Sequence, residues 1–203
     1  MGVGMSEDKN KRNFDSFREM IDHELPLETI KLEQEGFKID GDTKSSLKSY
    51  CNFCDLKSAD YFISRSKKTY VVEFSDILDQ EHKTIQKIEE IKKCNISPAH
   101  KKTICEGYFR TVVQEMKEKF KDTDVIYKSL SKHFDDLDEE FHNTYEKCIL
   151  VYSDKRLNHP DIPRVKQVAL NKFLATLAAR ITNSMPSYLN TTVIIAPISK
   201  FSE

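Results

Sequence analysis

Tryptophan is absent from this 203-residue chain, glycine occurs five times and proline six. So few chain-reversing residues beside 32% charged residues argue against a turn-rich β protein and for long solvated helices. No apolar run approaches the roughly 18 residues of a membrane span. The opening MGVGMSEDKNKRN carries no apolar h-region, so no signal peptide, no membrane association and a cytoplasmic location are expected. Ser6 falls at the sixth position of a myristoylation pattern, but the valine and glycine before it argue against lipidation. Charge of one sign is also missing. With 32 Lys+Arg against 33 Asp+Glu the net charge is −1, which excludes a protein that coats nucleic acid through bulk electrostatics but not one with a local basic groove. Glycine-rich phosphate loops, HExxH and GxSxG are absent too.

The five cysteines, Cys51, Cys54, Cys94, Cys105 and Cys148, are odd in number and scattered, as in a reducing compartment. Cys51 and Cys54 form half of a zinc site, and Cys94 and Cys105 supply no second close pair. Inert thiols are therefore expected in preference to structural zinc. A thioredoxin-like role is not expected, because no helix with a proline-bearing start follows the pair.

What is present is regular apolar spacing from end to end, which excludes collagen-like, disulfide-scaffold and disordered classes. Asn13 or Asp15 is expected to cap a short helix bearing Phe14, Phe17, Met20 and Ile21, ended by Pro26. Residues 29–40 read as a ragged strand or hairpin around Gly36, and 41–48 as a polar loop. Tyr61-Phe62-Ile63 and Tyr70-Val71-Val72 flank a polar turn at 65–68, a β-hairpin. Three helices are expected next: over 79–94; from Ser97-Pro98, an N-cap followed by proline at N1, toward Phe120; and a third capped by Asp122 or Asp124. Residues 147–153, 164–184 and 191–199 then read as strand, helix and strand in a right-handed parallel crossover.

Chemistry concentrates on the hairpin. Asp60 opens one strand and Glu73 lies near the end of the next, positions that stand nearly opposite in an antiparallel pair. Two carboxylates beside an apolar sheet are costly unless compensated. A divalent cation compensates them while keeping sites for water and phosphate.

Asp60, the turn, and the apolar run ending in Glu73-Phe74-Ser75 resemble the PD-(D/E)XK nuclease superfamily, whose pattern is an Asp, ten to thirty residues, then an acidic residue, any residue and a Lys. The family core of helix, antiparallel meander, helix and further strand is similar to the element order above. The resemblance covers roughly residues 14–94 and extends to the closing strand–helix–strand. It implies a restriction-endonuclease-like α/β fold with a mixed sheet, Asp60 and Glu73 as ligands of Mg²⁺ or Mn²⁺, and hydrolysis of phosphodiester bonds in DNA or RNA in a defence or restriction setting. The chain then divides into a flexible tail (1–12) and one nuclease-like domain (13–203) with a helical insertion at about 97–143.

Two departures from the pattern stand out. Ala59 replaces the proline before Asp60, and Ser75 occupies the place of the lysine. In some family members that cation comes from the following helix, which points to Lys83 and Lys87, with Gln80 and His82 nearby. Asp76, and Glu19 or Glu24, are further acidic candidates. The remaining histidines form no ligand pair, and the acidic run 135–140 lacks the glycine and ligand spacing of an EF-hand. Lys67-Lys68, Lys92-Lys93 and Lys101-Lys102 suit either a phosphate backbone or a solvated surface. A noncatalytic protein of the same fold, using its charged helices to bind a protein partner or a second copy, is the competing expectation.

Overall fold

The computed structural model describes residues 12–26, 28–78, 87, 90–91, 93–155 and 164–201, without the side chains of residues 105, 108, 165, 166 and 169. Among these residues, six strands form one mixed sheet in chain order: β1 (Arg18–Met20), β2 (Glu35–Lys38), β3 (Tyr61–Arg65), β4 (Lys68–Phe74), β5 (Lys147–Tyr152) and β6 (Thr192–Pro197). The first four are an antiparallel meander, and β4, β5 and β6 run parallel. The helices described from end to end are α1 (Leu47–Tyr50), α2 (Pro98–His133), α3 (Arg164–Ser184) and α4 (Ile198–Phe201). The architecture is thus α/β, as expected.

Period-two alternation divides the sheet's side chains between two cores. Phe62, Val71, Cys148 and Leu150 pack with Met116, Phe120 and Leu130 of α2 and Leu174 and Ile181 of α3. Tyr61, Ile63, Val72 and Val151 pack on the opposite side with Ile21, Leu25 and Phe201. The hairpin closes as expected: Arg65 pairs with Lys68, and Ser66 and Lys67 have φ of 51° and 62°, the left-handed pair of a two-residue turn.

Three expectations are corrected. The helix over residues 14–21 is only a 3-10 turn, Phe14–Phe17, before the chain straightens into β1. There Glu19 pairs with Gly36, whose missing side chain admits Ile21 and Tyr61; a Cβ would lie 3.2 Å from each. The loop expected at 41–48 ends in α1, capped by Ser46, which accepts from Ser49 N–H. The second and third helices are one, the 36-residue α2, because neither Asp122 nor Asp124 caps a new start. Asp122 accepts from Lys57 N–H and Asp124 pairs with Lys128, both with the helix continuous around them. Ser97 does cap α2, accepting from His100 N–H. The expected 79–94 helix lies largely outside the described residues.

Candidate functional site

Hairpin register places the two acids together. Tyr61 pairs with Val72, so one step outward Asp60 stands across from Glu73, and Asp60 N–H donates to Val72 O at 3.0 Å. Asp60 has the parity of Phe62 and Glu73 that of Val71, so both share the sheet face covered by α2. Phe74 N–H donates to Asp60 Oδ2 at 2.7 Å, which fixes the carboxylate across the strand gap.

The cation beside them is one that the sequence pattern did not single out. Lys119 of α2 donates to Glu73 Oε1 at 2.5 Å, with the Glu73 side chain 3% exposed. Glu73 Oε2 is buried with no hydrogen-bond partner. Lys83, with Gln80 and His82, lies outside the described residues; Lys87 is exposed on a helical segment. Among the described residues, the lysine bonded to Glu73 comes from a helix 46 residues away in sequence. Its spacing in the chain carries no signal, because only the packing of α2 across the sheet brings it there.

That packing is locked around the strand that carries Asp60. Lys57 Nζ pairs with Glu118 at 2.6 Å, Lys57 N–H donates to Asp122, and Ala59 N–H donates to Thr123 Oγ1 at 2.8 Å. Thr123 follows Lys119 by one helical turn, so a single helix face holds both the strand and the ammonium. A proline at position 59 would have no N–H for the Thr123 bond.

Asp40 joins the cluster from the loop after β2. Its carboxylate accepts from Lys48 Nζ and from buried Ser58 Oγ, at 2.7 Å for the hydroxyl. A cleft of about 290 Å³ opens here, lined by Asp22, Glu24, Asp40, Asp60, His23 and Lys38 among others. Glu24 therefore reaches the site from the loop after β1, whereas Glu19 is engaged by Lys38 at 2.9 Å and Tyr61 OH at 3.1 Å. Asp76 follows the buried Ser75, whose N–H extends the β4–β5 ladder to Val151 O. A larger groove of about 1020 Å³ along α2 is lined by three basic and three acidic side chains (Lys57, Arg110, Arg180; Glu106, Glu115, Glu118) and holds no facing pair of buried carboxylates.

Electrostatics at the cluster are unbalanced. Burial first, then repulsion from Asp60, pushes the Glu73 carboxyl up to about 8. Burial likewise raises Asp60 to about 6, against the opposing Phe74 N–H and Lys119. Lys119 is desolvated, yet Glu73 and Asp60 outweigh that and hold its pKa above the ordinary value. Asp40 moves the other way: it is partly desolvated, but Lys48 and Ser58 keep its pKa below normal. One ammonium thus faces two buried carboxylates, and the surplus negative charge favours uptake of a proton or a further cation.

Among the described residues, no group of three or more His, Cys, Asp and Glu side chains has the arrangement to hold a metal ion. Asp60 and Glu73 offer two carboxylates, which suffices for Mg²⁺ because that ion keeps several waters. Cys51 is buried, its thiol pushed up to about 12 by desolvation, whereas Cys54 is exposed. No helix among the described residues is long and apolar enough to cross a membrane. Comparison with family models, curated proteins and solved structures finds no match to this chain.

Proposed function

We propose that the protein is a divalent-metal-dependent nuclease of the PD-(D/E)XK type with a restriction-endonuclease-like core. The single observation that carries this reading is the convergence of Asp60, Glu73 and Lys119 on one face of the β3–β4 hairpin. The meander followed by a parallel strand, with Asp60 immediately before its third strand and Glu73 on its fourth, supports it. The two departures from the family pattern acquire physical reasons. Ala59 supplies an N–H that binds α2, and Lys119 of the same helix stands where Ser75 offers no ammonium.

The donor set fits a divalent ion. Glu73 Oε2 is an orphaned buried acceptor, and both carboxyls are destabilised as anions by burial, Glu73 also by Asp60. Asp60 and Glu73 would hold the ion, with Mg²⁺ or Mn²⁺ suited to hard oxygen ligands. When bound, such an ion supplies Lewis-acid polarisation of the phosphodiester and activation of the attacking water. The chain's own groups do the rest. Phe74 N–H fixes the Asp60 carboxylate, Glu73 orients the Lys119 ammonium, and Lys119 places positive charge where the pentavalent transition state gathers negative charge. The buried setting makes that charge count for more than it would in water.

The test is cleavage of plasmid and oligonucleotide DNA and of RNA with Mg²⁺ or Mn²⁺, comparing wild type, Glu73→Ala and Lys119→Met. Metal-dependent cleavage in wild type, reduced at least a hundredfold in both variants, is expected. Equal cleavage by wild type and Glu73→Ala overturns the assignment.

A further inference from the structure

The helix that delivers Lys119 extends well beyond the core. Among the described side chains of α2, the first fully buried one is Met116. Before it, Pro98, Ala99, His100, Lys102 and Thr103 are exposed and Lys101 half-buried. These consecutive positions span more than one turn, so solvent reaches the helix from nearly every direction. Further along, Phe109 packs against Phe173 of α3, and Val112 and Val113 pack against the core, so one side of the helix faces its own protein while the start of α2 and the positions of Lys102 and Arg110 face solvent.

Its charge is one-sided although the chain's is not. Between Pro98 and Gln114 the only acid is Glu106, against Lys101, Lys102 and Arg110, while the whole chain has a net charge of −1. Lys102 and Arg110 are 80% and 81% exposed, and each meets Glu106 only at long range, 4.0 Å and 3.6 Å. Exposed i,i+4 pairs of that kind are worth a few tenths of a kcal/mol at most, so both cations exchange readily for phosphate.

Distances along the rod are set by helix geometry. Lys102 precedes Lys119 by seventeen residues and Arg110 by nine, which is about 26 Å and about 14 Å of axial rise. Measured in steps of about 3.4 Å per base pair, those spans reach roughly four to eight base pairs from Lys119. Around the helix axis, Lys102 stands about 100° from the Lys119 column and Arg110 about 180° from it. Cations spread around a rod suit a groove with phosphates on both walls better than a flat surface. A B-form major groove is about 12 Å wide and admits a helix, whereas the deep, narrow major groove of A-form RNA does not.

Building on the nuclease reading, the geometry points to the exposed first half of α2 as the element that enters the major groove of duplex DNA, with Lys102 and Arg110 on its phosphates, while Lys119 on the same helix serves the phosphodiester being cut. The rod that grips the duplex and the ammonium that meets the reacting phosphate are one rigid element. Duplex position is thereby coupled to the placement of Lys119 against Glu73.

The test uses the full chain on a Glu73→Gln background, so that binding is read without cleavage. Affinity for a 20-base-pair duplex is measured by fluorescence anisotropy across a salt series with Mg²⁺ present. Lys102→Ala with Arg110→Ala should flatten the slope of log affinity against log salt by about 1.8, the value for two lost phosphate contacts. Lys102→Arg with Arg110→Lys should restore it. Circular dichroism confirms that the helix survives. An unchanged slope with duplex binding intact overturns the assignment and leaves the Asp60–Glu73 reading standing. Equal flattening on duplex RNA contradicts the major-groove placement. If Glu73→Gln binds no duplex even at low salt, the assignment also fails, and cleavage of single-stranded oligonucleotides by wild type then reports separately on the catalytic reading.

Discussion

Glu73→Gln offers a thermodynamic probe of the acidic pair that needs no substrate. The folded-state pKa of Glu73 is raised from the ordinary 4.5 to about 8, by burial first and by Asp60 second. Folding therefore favours the protonated form. The stability this contributes is fully present below pH 4.5 and is lost as pH rises through about 8. At 1.36 kcal/mol per pK unit, the carboxyl alone removes on the order of 4 kcal/mol between those limits. Asp60 adds a smaller loss in the same direction, between its ordinary 3.8 and about 6.

Glutamine keeps the shape and the acceptor for Lys119 but carries no charge at any pH. Urea unfolding at intervals from pH 5 to pH 8, in chelator and without added metal, should give a wild-type midpoint that falls relative to the variant's as pH rises. With a urea slope of about 2 kcal/mol per molar, the two curves should separate by about 2 M over that range. Adding Mg²⁺ should then raise the wild-type midpoint at pH 8 and leave that of Glu73→Gln unmoved. Parallel midpoints for the two proteins from pH 5 to pH 8 would refute the electrostatic description of the site.

Lys119→Met leaves Asp60 and Glu73 facing each other with no cation, so unfolding in chelator at pH 8 should show a loss of about 3 kcal/mol that shrinks toward pH 5 as the pair takes up a proton. Asp60→Asn retains an acceptor for Phe74 N–H and should fold normally by circular dichroism, while thermal denaturation shows no stabilisation by Mg²⁺. Thiol labelling in native buffer, mapped by peptide mass spectrometry, should modify the exposed Cys54 and Cys94 and spare the buried Cys51 and Cys148 until denaturant is added; prompt labelling of Cys51 and Cys148 would contradict their burial.

Local chemistry made some of this architecture legible and hid the rest. The hairpin could be read because β-prone triplets bracket a polar turn, and its register then follows from the turn's length. The Ser97-Pro98 start and the strand–helix–strand at the end were equally local, set by capping chemistry and by continuous apolar runs. The 3-10 turn at Phe14–Phe17 is hidden in the sequence because its two buried phenylalanines also suit a helix, whereas pairing with β2 decides the matter in space. Asp122 and Asp124 looked like caps, but their partners, Lys57 and Lys128, come from a distant loop and from the same helix. The acidic half of the site was readable because both residues lie on one hairpin. The basic half was not, since Lys119 reaches Glu73 only through helix-on-sheet packing across 46 residues, and Asp40 only through a separate loop.

The most direct test of the central claim is calorimetric titration of Mn²⁺ into the metal-free protein at pH 7.5, for wild type, Glu73→Gln and Asp60→Asn. One site per chain in wild type, lost or weakened at least tenfold in both variants, is the expected result. Unaltered Mn²⁺ binding in the two variants, or no binding in wild type, would contradict a metal centre at Asp60 and Glu73.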